Sequence, residues 1–190
     1  MKIVILDGYV ENPGDLSWKG FEQLGEVRIY DRTPENLITE RIQGAEAVIT
    51  KKTPIREETL AACPSDRYIG VLATGYNVVD TEAAARRNIP VCNIPAYGTD
   101  AVAQMVFALL LEVCQHVGEH SAAVKEGEWT KNQDWCFWKY PLIELKGKTM
   151  GIIGFGRIGQ SVGKIAHVFG MHVLAYGGSS FPEDTTFAER

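Results

Sequence analysis

Gly154-Phe155-Gly156-Arg157-Ile158-Gly159 is the run in this chain with the most definite chemistry. It follows the apolar stretch Met150 to Ile153 and opens a helical pattern from Arg157 to Phe169, with a second apolar stretch, His172 to Tyr176, beyond it. Each glycine has its own task in such a turn. Gly154 permits the tight bend, Gly156 leaves room for a pyrophosphate to approach the backbone, and Gly159 lets the helix lie close to the strand. The open amides and positive end of the helix favour phosphate. Spacing alone is a weak signal; the strand-turn-helix-strand setting is what makes the run a dinucleotide-type turn. A carboxylate that holds the adenosine ribose belongs about twenty positions further on. The chain reads Ala175-Tyr176-Gly177-Gly178-Ser179-Ser180 there, with no acid at Gly177. NAD thereby loses a hydroxyl acceptor, and the 2′-phosphate of NADP loses a repelling charge. Ser179 and Ser180 could donate to that phosphate, although no Arg or Lys accompanies them before Arg190. Weakened NAD binding, a relaxed choice between NAD and NADP, and no binding all stay open, with NAD preferred.

Two further runs leave predicted strands and could face a ligand. Ala73-Thr74-Gly75-Tyr76-Asn77-Val78-Val79-Asp80 enters a helix, and such crevices at strand ends are the usual ligand sites of α/β sheets. Gly75 could expose neighbouring amides to an anionic group, while Asp80 caps the helix. Asn93-Ile94-Pro95-Ala96-Tyr97-Gly98-Thr99-Asp100 repeats the arrangement and could act as a hinge. Lys52 follows another strand and either lends positive charge to the same mouth or stands as a solvated surface lysine. His116-Val117-Gly118-Glu119-His120 matches a pattern of some zinc hydrolases, with both histidines on one helical face. No plausibly placed acid supplies the third ligand, and Gly118 weakens the helix, so a helix-end or interface role is expected and no metal. His167 and His172 lack a visible acidic relay and read as structural.

The elements that must position these residues follow from hydrophobic patterning. Lys2 to Leu6, Val27 to Tyr30, Ala47 to Thr50, Tyr68 to Ala73 and Pro90 to Asn93 are short apolar runs separated by polar helical stretches. That alternation predicts a parallel sheet covered on both faces over residues 1–98. A long helix follows, which Thr99 or Asp100 can cap, with Val102, Val106, Leu109, Leu110 and Val113 as a broad apolar face. Between Gly127 and Pro141 five aromatic residues crowd together without regular periodicity: Trp129, Trp135, Phe137, Trp138 and Tyr140. They either wrap over their own domain or, as preferred here, form an arm in a homodimer contact. Residues 99–190 thus read as a partial dinucleotide-binding domain with a long helix and that arm. The net charge of -5, with acids and bases mixed, offers neither a nucleic-acid face nor a polybasic membrane patch. Cys63, Cys92, Cys114 and Cys136 stand far apart, consistent with reduced thiols in the cytoplasm.

Taken together, Thr50-Lys51-Lys52-Thr53-Pro54, Ala73 to Asp80, Asn93-Ile94-Pro95, Ala101-Val102-Ala103-Gln104, Trp129, Cys136-Phe137-Trp138 and Gly151 to Gly159 resemble the D-isomer-specific 2-hydroxyacid dehydrogenases, especially the glycerate dehydrogenase or hydroxypyruvate reductase branch. The resemblance runs from Met1 to about Tyr176. It implies a flavodoxin-like parallel-sheet domain followed by the first βαβ part of a Rossmann domain. It also implies reduction of a small 2-oxo acid to the 2-hydroxy acid with NAD(P)H. Lys52, Thr74, Gly75 and Tyr76 would face the substrate; Gly154, Gly156, Arg157, Ile158 and Gly159 would cradle the cofactor. Members typically dimerise through the cofactor domain. The family's catalytic Arg, Glu and His would lie beyond Arg190, so no catalytic residue is assigned here and residues 1–190 alone are expected to be inactive. A truncated oligomeric scaffold without catalysis, or a small-ligand or nucleotide-binding module, is the alternative.

Overall fold

The computed structural model describes residues 1–177 and 186–189. The chain divides into two compact units, Met1–Tyr97 and Gly98–Arg190. In the first, β1 (Lys2–Ile5), β2 (Glu26–Ile29), β3 (Ala47–Thr50), β4 (Tyr68–Val71) and β5 (Val91–Asn93) pair in parallel in the order β2-β1-β3-β4-β5. This is the flavodoxin-like order, which reverses direction between β1 and β3. The connections carry the short helices α1 (Gly8–Glu11), α2 (Lys19–Glu22), α3 (Ile38–Ile42), α4 (Glu57–Ala62) and α5 (Thr81–Arg86).

Alternation along the central strands feeds two cores. Val4 and Leu6 of the β1 segment join Val48, Ile42, Ile55, Leu60, Ile69 and Val71 on one face. Ile3 and Ile5 join Ala47 and Ile49 on the other. The register Ile3↔Ala47, Val4↔Val48, Ile5↔Ile49 keeps like faces together. Each fully buried Ile or Leu contributes about 1.5–3 kcal/mol, and β1 supplies such residues to both faces of the sheet. Asp80 caps α5 as expected, its side chain accepting from the Ala83 N–H at 2.9 Å.

The amino-terminal edge of this sheet carries an unforeseen acid. Asp66, in the turn before β4, is only 5% exposed, and neither carboxylate oxygen has a hydrogen-bond partner among the described residues. It borders a cleft of about 380 Å³ with Leu60, Cys63, Arg87 and Ile89. Burial raises its pKa to about 7. Burial also raises the Cys63 thiol, with the Asp66 charge adding to the effect.

The second unit contains α6 (Thr99–Gln115), α7 (Val117–Lys125), α8 (Glu128–Lys131), β6 (Thr149–Ile153), α9 (Arg157–Val168) and β7 (His172–Tyr176). Neither Thr99 nor Asp100 caps α6. The N-cap is Gly98, with no side-chain cap, and both polar residues lie inside the first turn. The broad apolar face of α6 is divided between a packed side and an exposed one. Ala103, Phe107 and Cys114 are buried with Val106 and Leu110 packed beside them, while Val102, Leu109 and Val113 are exposed. The packed side is centred on Ala103, Phe107 and Cys114, which share one face at helical spacing. Among the described residues no single helix is long and apolar enough to cross a membrane.

Candidate functional site

In the second unit β6 and β7 pair in parallel across α9, making one βαβ unit. Gly154 leaves β6 with φ +94°, a left-handed conformation that a side chain would strain, and its N–H donates to Tyr176 O at 2.7 Å. Gly159 is held by contact: a Cβ there would stand 2.3 Å from Gly154 O and 3.3 Å from Ile152 Cγ2. Gly156 is the N-cap of α9 with no side-chain cap, and a Cβ on it would meet nothing within 4 Å. Two glycines are therefore required by the turn itself, whereas the space over Gly156 has no occupant among the described protein atoms. Arg157, Ile158 and Gly159 form the first turn of α9, which carries no acidic residue. Amides in that position have no helical partner and, with the helix dipole, suit an anion. Gly177 directly follows β7, where a Cβ would stand 3.2 Å from Phe155 N and Phe155 Cβ. Gly178, Ser179 and Ser180 lie outside the described residues.

The first unit gathers its candidate residues at the carboxyl ends of the strands. Asn93 Nδ2 donates to Thr74 O at 2.8 Å and Thr74 Oγ1 to Ile94 O at 3.1 Å, stitching the loops after β4 and β5 together. The loop after β3 joins them through Ile55 N–H to Val78 O and Asp80 N–H to Ile55 O, both 2.9 Å. Gly75 and Tyr76 are exposed on this rim, and so is Lys52. The geometry thus places Lys52, Thr74, Gly75 and Tyr76 on loops that share the carboxyl end of the sheet.

Asp7, just beyond β1, ties the loop after β3 to its neighbouring strand. Its Oδ2 accepts the N–H groups of Lys51, Lys52 and Thr53 at 2.7, 3.0 and 3.1 Å, and the Thr50 hydroxyl lies 3.1 Å away. Its Oδ1 accepts from Thr53 Oγ1 at 2.6 Å. Burial pushes this carboxyl up, and the hydrogen bonds from Thr53, Lys51 and Lys52 more than offset it, leaving the pKa below the ordinary value. The available signal was topological. An acid after β1 meets a Thr-Lys-Lys-Thr loop after β3 because the two strands are neighbours.

The His-x-x-Glu-His run does not make a common helical face. His116 sits at the break between α6 and α7 with φ +48°, and its Nδ1 lies 3.6 Å from Glu119 Oε2. His120 has both ring nitrogens engaged, Nδ1 at 2.8 Å from His116 O and Nε2 accepting the Lys139 N–H at 3.2 Å. Those partners require the neutral tautomer with its proton on Nδ1. The aromatic segment is more ordered than its composition suggested. Trp129 Nε1 donates to Trp135 O at 3.0 Å, and Asn132 Nδ2 to Cys136 O at 2.7 Å. Trp135 and Trp138 nevertheless remain 87% and 69% exposed.

A parallel α/β architecture with a glycine turn between the first strand and the helix of the second unit's βαβ is that of the dinucleotide-binding class of folds. The chain belongs to the D-isomer specific 2-hydroxyacid dehydrogenase family, whose catalytic-domain model matches residues 3–181. It is 61% identical over 180 residues to a hydroxypyruvate reductase of Blautia hydrogenotrophica, covering 93% of this chain and 56% of that protein. It is 36% identical over 185 residues to a glycerate dehydrogenase of Methylorubrum extorquens, covering 96% and 57%. Among solved structures, an acyclic imino acid reductase in complex with NADPH and D-arginine aligns with a TM-score of 0.76 at 27% identity, covering all of this chain and 60% of that one. The chain spans about half the length of the curated relatives it matches.

Proposed function

We propose that this chain is part of a dehydrogenase that reduces a 2-oxo acid such as hydroxypyruvate, or a glyoxylate-like analogue, with NAD(P)H. The observation that carries the reading is the division of labour among three glycines: Gly154 and Gly159 answer to the protein's own backbone, while a Cβ on Gly156, at a helix N-terminus, would meet no atom of the described residues within 4 Å. Gly154, Gly156, Arg157, Ile158 and Gly159 would hold the cofactor's diphosphate. The cofactor supplies the hydride when bound. Lys52 and the segment Thr74-Gly75-Tyr76 would hold and orient the acid by its carboxylate. The similarity to the hydroxypyruvate reductase supports this substrate class. The absence of an acid at Gly177 leaves NAD without a ribose partner at that position, so we assign NAD or NADP and expect modest discrimination between them.

No residue of this chain is assigned to proton transfer. The exposed residues Val102, Leu109 and Val113 of α6, with the exposed tryptophans after α8, support a homodimer contact. The direct test compares Gly156→Ala with wild type by calorimetry with NADH and NADPH. Gly156→Ala should keep the same melting temperature and lose nucleotide affinity. Equal affinity in the two proteins, or no nucleotide binding by the full-length wild type, would overturn the cofactor assignment.

A further inference from the structure

We infer that Asp7 is the positioning residue of the substrate loop: its carboxylate occupies the anion-binding nest of the Lys51, Lys52 and Thr53 amides, so that an incoming acid meets the Lys52 side chain instead of that backbone. This rests on the proposed 2-oxo acid reading. Consecutive N–H groups converging on one point form a concavity suited to an anion. Here the convergence point is Asp7 Oδ2, at 2.7–3.1 Å from all three nitrogens. The nest is therefore filled by the protein's own charge. Asp7 is 7% exposed, and its second oxygen is taken by Thr53 Oγ1. Thr50 Oγ1 can also donate to Thr53 O at 2.7 Å, which closes the loop on itself.

The cations of the loop are divided by the same arrangement. The Lys51 ammonium lies 3.2 Å from Glu11 Oε1 and is largely sequestered. Lys52 is exposed, with its amide pinned to Asp7 from beneath. Asp7 thus fixes the backbone from which Lys52 projects, while its own negative charge is spent on amides and hydroxyls and does not compete for the Lys52 ammonium. An acid held at this rim is recognised by one long cation and by the Thr74–Tyr76 segment.

The test uses the full-length protein with glyoxylate as the probe. Asp7→Ala leaves a donor-lined hole that formate can fill. Its affinity for glyoxylate should fall about ten-fold or more, as expected for a lost charge-assisted arrangement. Added formate should raise the melting temperature of Asp7→Ala but not of wild type, and should restore much of the glyoxylate affinity. Thermal rescue without recovered affinity, or undiminished affinity in Asp7→Ala, would reduce Asp7 to a structural role and refute the inference. Lys52→Ala separates the two ideas. Weakened glyoxylate binding in Lys52→Ala with normal binding in Asp7→Ala defeats the inference alone, whereas normal binding in both defeats the substrate reading. Should Asp7→Ala fail to fold, wild type decides by amide NMR. Glyoxylate should leave the Lys51, Lys52 and Thr53 amide protons hydrogen-bonded as before and shift the Lys52 side chain. Displacement of Asp7 from those amides by glyoxylate would overturn the proposal.

Discussion

Asp66 should make the first unit less stable as pH rises through the neutral range. Its folded-state pKa is about 7 against an ordinary 3.8, a difference of roughly three pH units. Below 3.8 the carboxyl is protonated in both folded and unfolded chains and contributes no pH dependence. Between 3.8 and about 7 the unfolded chain releases the proton while the folded chain keeps it, so stability falls by up to about 1.4 kcal/mol per pH unit. The full loss approaches about 4 kcal/mol above pH 7. Water entering the adjoining cleft would soften this, and we expect about 2–4 kcal/mol, a large share of the roughly 5–15 kcal/mol typical of a domain. Asp66→Asn mimics the neutral carboxyl in shape and cannot ionise. It should match wild type near pH 4 and exceed it by about 2–4 kcal/mol at pH 8. Native-state hydrogen exchange of the β4 amides Ile69 and Val71, followed at several pH values with urea, reads this unit directly. An identical difference between the two proteins at pH 4 and pH 8 would refute the argument.

Three further outcomes are expected. Gly159→Ala should lower the melting temperature and cost about 1–3 kcal/mol, because its Cβ meets the Gly154 carbonyl oxygen and not a flexible side chain. Asp80→Ala should destabilise the first unit by about 0.5–2 kcal/mol through loss of its bond to the Ala83 N–H, measurable by urea denaturation. In a maleimide-labelling time course followed by peptide mass spectrometry, exposed Cys92 should react well before buried Cys63, whose thiol is also held protonated by its surroundings.

The sheet of the first unit was legible because each strand is a short β-branched run and each connection is polar, so periodicity and chain order pointed the same way. Asp80 was legible for the same local reason: an N-cap acts on amides only two or three positions ahead. The glycine turn could be read because its tasks are imposed by backbone geometry within a few residues. Asp7 could not be read locally, since its partners lie 43 to 46 positions away and meet it only once β1 and β3 are adjacent. The inward line of α6 was not singled out by the sequence because Ala103 and Cys114 bury little area individually and gain importance only from the neighbours they touch. The helix-end position of His116 was legible because Gly118 weakens a helix there, but its left-handed backbone was not, since nothing in a His-x-x-Glu-His spacing requires one. Asp66 followed a proline-serine turn and resembled an ordinary surface acid; its burial is a tertiary fact.

The position of β1 has a consequence for biosynthesis. It precedes both strands that flank it, pairing with Glu26–Ile29 on one edge and with Ala47–Ile49 on the other. During translation Ile3, Val4, Ile5 and Leu6 therefore emerge as an apolar ribbon that gains a partner on one side only when β2 follows it, and is covered on both sides only when β3 has also left the ribosome, some forty-four residues behind. At about 5–20 residues per second that interval lasts roughly 2–10 s. For those seconds the segment that later becomes the least accessible part of the unit is the one most open to chaperone capture. It is also then the most open to pairing with the same segment on a neighbouring nascent chain.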